Sequence, residues 1–342
     1  MMRRISSILN TLGWGVVLAL AWLVGGCASV QPGKPEPRTG DEIVAAGRFF
    51  HTGARVVLWM DPGGYDGYRV QPRFGERYEP GYGVTNAERN RLVSAQRYDE
   101  RELGLSRNEL DRLWGGGWDL PTLQRVVDQF VIHYDDCGTS RTCFKVLHDE
   151  RGLSVHFLLD LDGTIYQTLD LKERAWHATT SNDRSVGVEI ANLGARPYGD
   201  TKDFEEWYRT NASGRTTITI PARFGDGGIL TKPFTGHPMR SGLVRGTIQG
   251  RDLVQYDYTP EQYAALIKLT ATLCRVFPKI QCRYPVDEQG KLVPQKLRDD
   301  VLENYEGVLG HYHIQTNKVD PGLAFQWDLV IGGARRELGI KK

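Results

Sequence analysis

The sequence has little net charge, few cysteines and no repeats, and these absences narrow the possible functions. The 342 residues include 43 lysines and arginines and 42 aspartates and glutamates, which leaves a net charge of +1. Such a balance does not suggest a nucleic-acid-binding protein held by bulk charge. The sequence has no internal repeat and no coiled-coil heptad. Its 39 glycines predict many turns and irregular loops instead of long helices.

The apolar run near the start of the sequence is too short to span a bilayer comfortably as a permanent anchor. It extends from about Trp14 to Val24, with Arg3 and Arg4 before it and two glycines after it. A basic start, a short apolar stretch and small residues before a cleavage site are typical of a secretory signal. We therefore expect an exported protein.

Cys27 follows Gly25-Gly26 directly, and this arrangement resembles the lipobox of bacterial lipoproteins. The resemblance implies that residues 1–27 are a lipoprotein signal peptide and that Cys27 becomes lipidated. A plain signal peptide or an uncleaved anchor is the alternative. Residues 28–41 are rich in proline, glycine and charge, as a linker is. By the same resemblance Ala28 favours the outer membrane, so the expected location is periplasmic and lipid-anchored.

Few cysteines remain beyond Cys27: Cys137, Cys143, Cys274 and Cys282. An even number in an oxidising compartment suggests two disulfides. Four cysteines allow three pairings, of which the simplest is local, Cys137–Cys143 with Cys274–Cys282. A cysteine zinc site is the alternative, but the sequence has no CxxC pair to support it.

Short apolar runs alternate with helical patterns. The predicted strands are Gln129–His133, Ser154–Leu159, Thr164–Gln167 and Ser185–Ile190, with an Asp-Gly hairpin turn between the second and third. The clearest helix follows Thr259, where Pro260 takes the first helical position and Gln262 completes a capping box. Strands interleaved with helices predict an α/β (mixed α+β) domain around one sheet.

The sequence patterns divide the chain after the linker into a shorter N-terminal region and a longer main domain. Residues 42–117 contain a plausible strand and a short helix after a capping box at Ser106, but no recognisable chemistry. This region could be a small module or could wrap the next domain. Residues 118–342 form the main domain, and residues from about 192 to 257 are a glycine-rich polar insertion of loops and short strands.

Three features carry chemistry when taken together. His133 ends an apolar strand, and Glu189 interrupts another, where a carboxylate is costly to bury unless it is paired or functional. Near the C-terminus one loop contains His311, Lys318 and Asp320. Each feature alone has a structural explanation. Two histidines and an aspartate can supply three zinc ligands and leave the fourth position for water, with Glu189 as general base and Lys318 as an oxyanion donor.

The chain from about Phe130 to Leu329 resembles the type-2 N-acetylmuramoyl-L-alanine amidases, the family that includes phage amidases and the peptidoglycan recognition proteins. Five blocks occur in the family's order. They are Phe130–His133, Ser154–Tyr166, Ala175–Ala178, Ser185–Ile190 and Gly310–Gly322. The resemblance implies that family's fold, a central mixed sheet flanked by helices. The Cys137–Cys143 spacing also resembles the small disulfide of the recognition proteins.

Carried over by position, the resemblance implies one zinc ion bound by His133, His311 and Asp320. Asp320 places the chain in the bacterial branch that uses aspartate where other members use cysteine. That branch takes a strand glutamate as base, here Glu189, and a lysine two residues before the aspartate, here Lys318.

The resemblance leaves some assignments less settled. His313 is an alternative ligand, although Gly310-His311 matches the motif better, and the spacing from His311 to Asp320 is one residue short of the expected pattern. Trp176, His177 and His156 match positions that are structural or line the substrate groove. They are the candidate substrate-binding residues.

The predicted function is zinc-dependent hydrolysis of the amide bond between N-acetylmuramic acid and L-alanine in peptidoglycan. One alternative is a noncatalytic peptidoglycan-binding lipoprotein, although the complete set of candidate residues favours an enzyme. Another is an amidase specific for soluble anhydro-muropeptides, and a third is a structural lipoprotein whose histidines are incidental. The expected partners are peptidoglycan or muropeptides and, through Cys27, a membrane.

Overall fold

The computed structural model describes residues 32–69, 73 and 98–340. Residues 1–27 and the predicted lipidation site Cys27 lie outside the described residues. The described residues from Thr39 onward belong to one compact unit. Within the described ranges, every helix is too short or too polar to cross a lipid bilayer.

A six-stranded mixed sheet forms the centre of the fold, which confirms the predicted fold class. In spatial order its strands are β15 (Gly307–Gly310), β5 (Gln129–Tyr134), β9 (Ser185–Ile190), β6 (Phe157–Leu159), β7 (Ile165–Gln167) and β3 (Val56–Leu58). Neighbouring strands are parallel except for β6 and β7, which form the predicted hairpin. Their apolar residues are almost all buried, as expected for a sheet covered on both faces.

Short strands outside this sheet complete the β structure. They are β1 (Glu42–Ala45), β2 (Arg48–His51), β4 (Tyr98–Asp99), β8 (Arg174–Ala175), β10 (Arg196–Pro197), β11 (Tyr208–Thr210), β12 (Thr216–Ile218), β13 (Leu243–Ile248) and β14 (Arg251–Tyr256). Strands β10, β14 and β13 form a three-stranded antiparallel sheet, and β11 pairs with β12. The predicted insertion 192–257 therefore contains short strands and loops, together with two short helical turns.

The α-helices surround the central sheet. They are α1 (Arg107–Gly116), α2 (Leu120–Val126), α3 (Ser140–Phe144), α4 (Phe204–Trp207), α5 (Pro260–Val276), α6 (Asp299–Glu303) and α7 (Trp327–Glu337), with a π-helix at Lys145–Glu150 and 3-10 helices at Thr179–Arg184, Ala222–Phe224 and His311–His313. Helix α5 begins at the predicted capping box, in which Thr259 Oγ1 accepts from the backbone N–H of Gln262. Its buried face belongs to the main core, together with the apolar face of α7.

The N-terminal region is built into this core. Strand β3 pairs in parallel with β7 at the edge of the central sheet. Gln167 on β7 accepts from the backbone N–H of Val44 at 2.8 Å and donates to the carbonyl groups of Val44 and Leu169, each at 2.8 Å. Ile43 and Val44 are fully buried or nearly so. Of the two arrangements left open by the sequence, residues 42–58 therefore wrap the catalytic domain.

The structure draws Cys137, Cys143, Cys274 and Cys282 without a bond between their sulfur atoms. The neighbours are nevertheless the predicted ones. Burial and a side-chain hydrogen bond with Cys137 raise the pKa of the Cys143 thiol, and a side-chain hydrogen bond with Cys282 raises the pKa of Cys274. The two predicted pairs are therefore adjacent in the fold, and the disulfide bonds themselves stay a prediction.

Candidate active site

Three adjacent parallel strands bring candidate residues to one edge of the sheet. His133 lies near the carboxyl end of β5, and Glu189 is its register partner on β9. His311 directly follows the carboxyl end of β15, on the other side of β5. In open sheets with parallel strands, ligands bind outside the carboxyl ends of the strands. The strand order therefore assembles residues that are far apart in the sequence.

The donor atoms of His133, His311 and Asp320 converge. His133 Nδ1 lies 2.8 Å from Asp320 Oδ2 and 3.0 Å from His311 Nδ1, and His311 Nδ1 lies 3.0 Å from Asp320 Oδ2. Ligands about 2.0–2.1 Å from a tetrahedral zinc ion lie roughly 3.3 Å apart, so small outward shifts would fit this triangle around the ion. All three residues are buried and form a group able to hold a metal ion. The donor set therefore suits zinc.

The charges of this group also suit a metal ion. Burial and the nearby His311 lower the pKa of His133 to about 4, which leaves its imidazole neutral at pH 7. Burial alone would raise the pKa of Asp320, but the imidazoles of His311 and His133 hold it far below its usual range. Metal ligation requires neutral imidazole and ionised carboxylate, and these are the states that the site favours.

Hydrogen bonds at the far nitrogens orient the two imidazoles. His311 Nε2 lies 2.5 Å from Gln315 Oε1, an acceptor that requires a proton on Nε2 and so leaves Nδ1 free to bind. His133 Nε2 lies 3.0 Å from His177 Nδ1, and His177 Nε2 lies 3.2 Å from Ser185 Oγ. Such outer partners fix the tautomer and ring orientation of metal ligands. Gln315 and Ser185 lie within two of the matching blocks, but their residue types alone do not predict these contacts.

The position of the His177 ring requires a glycine on the adjacent strand. A Cβ atom at Gly187 would lie 2.5 Å from the His177 ring, so the ring packs directly on the backbone of β9. Burial and the adjacent His133 lower the pKa of His177, which therefore stays neutral. Its contact with His133 makes it a support for a predicted ligand as well as part of the cleft wall.

Two other histidines lie close by but point elsewhere. His313 is fully buried, with Nδ1 accepting from the backbone N–H of Gly310 at 2.9 Å and Nε2 donating to the carbonyl of Val293 at 2.9 Å. Of the two histidines that the sequence left open, the structure therefore places His311 beside His133 and Asp320.

The structure corrects the prediction that His156 is a candidate substrate-binding residue. It is completely buried, accepts from the backbone N–H of Gly187 at 3.1 Å, and has Nε2 2.9 Å from the carbonyl of Glu173. The fully buried guanidinium of Arg101 lies 3.1 Å from Nε2 and donates to the carbonyl of Ser185. His156 is thus enclosed below the sheet surface and cannot contact a substrate.

Glu189 is the unusual carboxylate of the site. Its Oε2 atom is buried and has no hydrogen-bond partner among the described residues. Burial raises the pKa of Glu189, and the negative charges of Asp320 and Asp135 raise it further, while Lys318 opposes them. A buried carboxylate oxygen without a partner is costly, and raised carboxyl pKa values are typical of general bases and acids.

These residues line a cleft of about 960 Å³. Trp176 and His177 lie along it, as the sequence predicted for a groove, and Lys318 lies on the loop that bears Asp320. The guanidinium of Arg174 stacks over the Trp176 ring at 4.6 Å from its centre. The cleft therefore places an aromatic wall and both acidic and basic side chains next to the metal-binding group.

The chain was compared with known families, curated sequences and solved structures. A family model described as N-acetylmuramoyl-L-alanine amidase matches residues 123–323, more than half of the chain. No curated protein sequence matches the chain.

The chain is similar to solved structures at low identity. One is an AmpD derivative, with 18% identity and a TM-score of 0.31, over 69% of this chain and 89% of that one. Another is the amidase AmiD from E. coli, in complex with the substrate anhydro-N-acetylmuramic acid-L-Ala-D-γ-Glu-L-Lys, with 18% identity and a TM-score of 0.33, over 60% of this chain and 57% of that one. A third is the endolysin LysCS of Clostridium intestinale, with 16% identity and a TM-score of 0.32, over 64% of this chain and 88% of that one.

Proposed function

The chain belongs to the N-acetylmuramoyl-L-alanine amidase family, and from that membership we propose that it hydrolyses the bond between N-acetylmuramic acid and L-alanine with a zinc ion. In this proposal His133, His311 and Asp320 hold the ion. The observation that carries it is the convergence of their three donor atoms in the cleft that also contains Glu189, whose Oε2 atom has no hydrogen-bond partner among the described residues. This combination provides both a metal site and a base.

The roles of the other residues follow from their chemistry. Bound zinc would polarise the scissile carbonyl and acidify water. Glu189 takes the proton of the attacking water and delivers it to the nitrogen of the departing L-alanine, so that one C–N bond breaks and one C–O bond forms. The ammonium group of Lys318, on the cleft wall, stabilises the negative charge that develops on the carbonyl oxygen.

Digestion of peptidoglycan tests this proposal. We expect a fragment that lacks residues 1–27 to release stem peptides beginning at L-alanine, detected by mass spectrometry. A zinc chelator should abolish the release, and added zinc should restore it, because the proposed reaction requires an ion held by two histidines and an aspartate. A parallel digestion of soluble anhydro-muropeptides distinguishes the two substrate classes. Folded, zinc-loaded protein that cleaves neither substrate would contradict the amidase proposal and favour a binding protein.

We also propose that the protein is lipid-anchored in the periplasm through Cys27, facing its substrate. The support is the lipobox-like sequence before Cys27 and the proline-rich linker after it. One acyl chain gives only marginal membrane binding, whereas two or more anchor a protein stably. We expect wild-type protein in the membrane fraction of cells and the Cys27→Ser variant to lose incorporation of labelled fatty acid. Equal fatty-acid labelling of the two would contradict the proposal.

A further inference from the structure

The loop that supplies two of the proposed ligands contains little regular structure. It runs from His311 to Ala324, beginning with a 3-10 helix of three residues and continuing through turns. One of its internal links is a long hydrogen bond from the backbone N–H of Tyr312 to the carbonyl of Asp320, at 3.2 Å. The relative positions of His311 and Asp320 therefore depend on contacts from outside the loop.

Gln249 makes the first of these contacts. It occupies the turn between β13 and β14, with a φ of +54°. Its amide nitrogen donates to the carbonyl groups of Tyr312 at 2.8 Å and Gln315 at 2.9 Å, and its Oε1 accepts from the backbone N–H of Lys296 at 3.2 Å. Both the nitrogen and the oxygen of the Gln249 side-chain amide therefore make hydrogen bonds. This amide fixes the residue after His311 and the residue whose side chain orients the His311 ring.

Gln255 makes the second contact, at the other end of the loop. It is fully buried on β14. Its Nε2 donates to the carbonyl of Pro321 at 3.1 Å, and its Oε1 accepts from the backbone N–H of Ala324 at 3.0 Å. A Cβ atom at Gly322 would lie 2.0 Å from Oε1, at a φ of +83°. Only glycine lets the backbone pass so close to the Gln255 amide at this position, two residues after Asp320.

We propose that the β13–β14 hairpin of the insertion is a brace for the metal site, and that Gln249 and Gln255 are positioning residues for His311 and Asp320. This inference rests on the proposed function. Two amides on one rigid hairpin hold the two ends of the ligand loop, so the hairpin sets the separation between the ligands. Loss of an outer partner of a metal ligand typically lowers metal affinity about 10- to 100-fold.

The test compares zinc affinity in Gln249→Ala and in a matched control, Gln167→Ala. Gln167 also makes three amide hydrogen bonds to backbone groups, but two of them hold Val44 of the N-terminal hairpin and the third goes to Leu169. We expect Gln249→Ala to bind zinc about 10- to 100-fold more weakly, by competition with a chelator. Gln167→Ala should keep wild-type affinity while its unfolding temperature falls. The visible spectrum of the Co²⁺-substituted protein should change in Gln249→Ala alone, because it reports the ligand geometry.

Two results would contradict the proposed role of Gln249. Wild-type zinc affinity in Gln249→Ala would overturn the inference, and so would an equal loss in Gln167→Ala, which would indicate general destabilisation. If Gln249→Ala does not fold, Gln249→Glu replaces it. That variant keeps the volume and the acceptor for Lys296, loses both donors, and should show the same weaker binding. A wild-type protein that binds no zinc would contradict the proposed function itself, and the brace with it.

Discussion

Replacing His133 with alanine is expected to remove the zinc and to lower amidase activity by more than about 100-fold. The loss should exceed the 10- to 100-fold effect of removing an outer partner, because His133 Nδ1 is one of only three converging donors. The remaining pair, His311 and Asp320, would leave the ion with two protein ligands, one fewer than catalytic zinc sites use. Metal analysis of the purified variant, together with digestion of peptidoglycan, measures both effects.

His313→Asn is the matched control for this prediction. His313 is a buried histidine of the same loop, but both its ring nitrogens contact backbone groups. We expect this variant to keep its zinc even if its stability falls. A full zinc content in His133→Ala would remove His133 from the ligand set. Loss of zinc from His313→Asn, with retention in His311→Ala, would move the second ligand from His311 to His313.

Much of the central sheet can be predicted from the apolar patterns of its strands. Apolar, β-branched runs at Gln129–His133 and Ser185–Ile190 indicated buried strands, and both are strands in the structure. His133 is distinctive because it ends an apolar strand, and Glu189 is distinctive because a carboxylate within such a run is costly to bury. That the two are register partners follows only from the order of the strands. Long-range pairing of this kind is set by packing of the whole sheet, which one sequence does not display.

Other features depend on partners that are distant in the chain. The burial of His156 comes in part from Arg101, which lies 55 residues away in the sequence. Strand β3 has three residues and gains its place from pairing with β7 and from the shared core. Gln249 and Gln315 act through single amide contacts to loops, and such contacts have no periodicity in a sequence. The roles of the candidate site residues stay predictions until the variants are measured.

Glu189→Gln is expected to keep the zinc and lose about 10²- to 10⁴-fold in turnover, the range typical of a lost general base. Glutamine has the size of glutamate but cannot take a proton from water at neutral pH. The zinc should remain because Glu189 is not among the three converging donors. Turnover of peptidoglycan fragments and zinc content, measured on the same sample, separate the two effects. Glu173→Gln is the control, since Glu173 is also buried but contacts Tyr68 instead of the metal-binding group.

The same substitution should stabilise the metal-free protein at neutral pH. Burial raises the pKa of Glu189, so the folded state binds a proton more tightly than the unfolded state. Ionisation of Glu189 therefore lowers the free energy of unfolding as the pH rises above the ordinary glutamate value near 4.3. Glutamine removes this cost, and the unfolding temperature of the metal-free variant should exceed that of wild type at pH 7, with a smaller difference at pH 4. A gain in stability joined to a loss of turnover is the pattern of a residue kept for catalysis. Turnover close to that of wild type would contradict the general-base role, and lower stability at pH 7 would contradict the raised pKa.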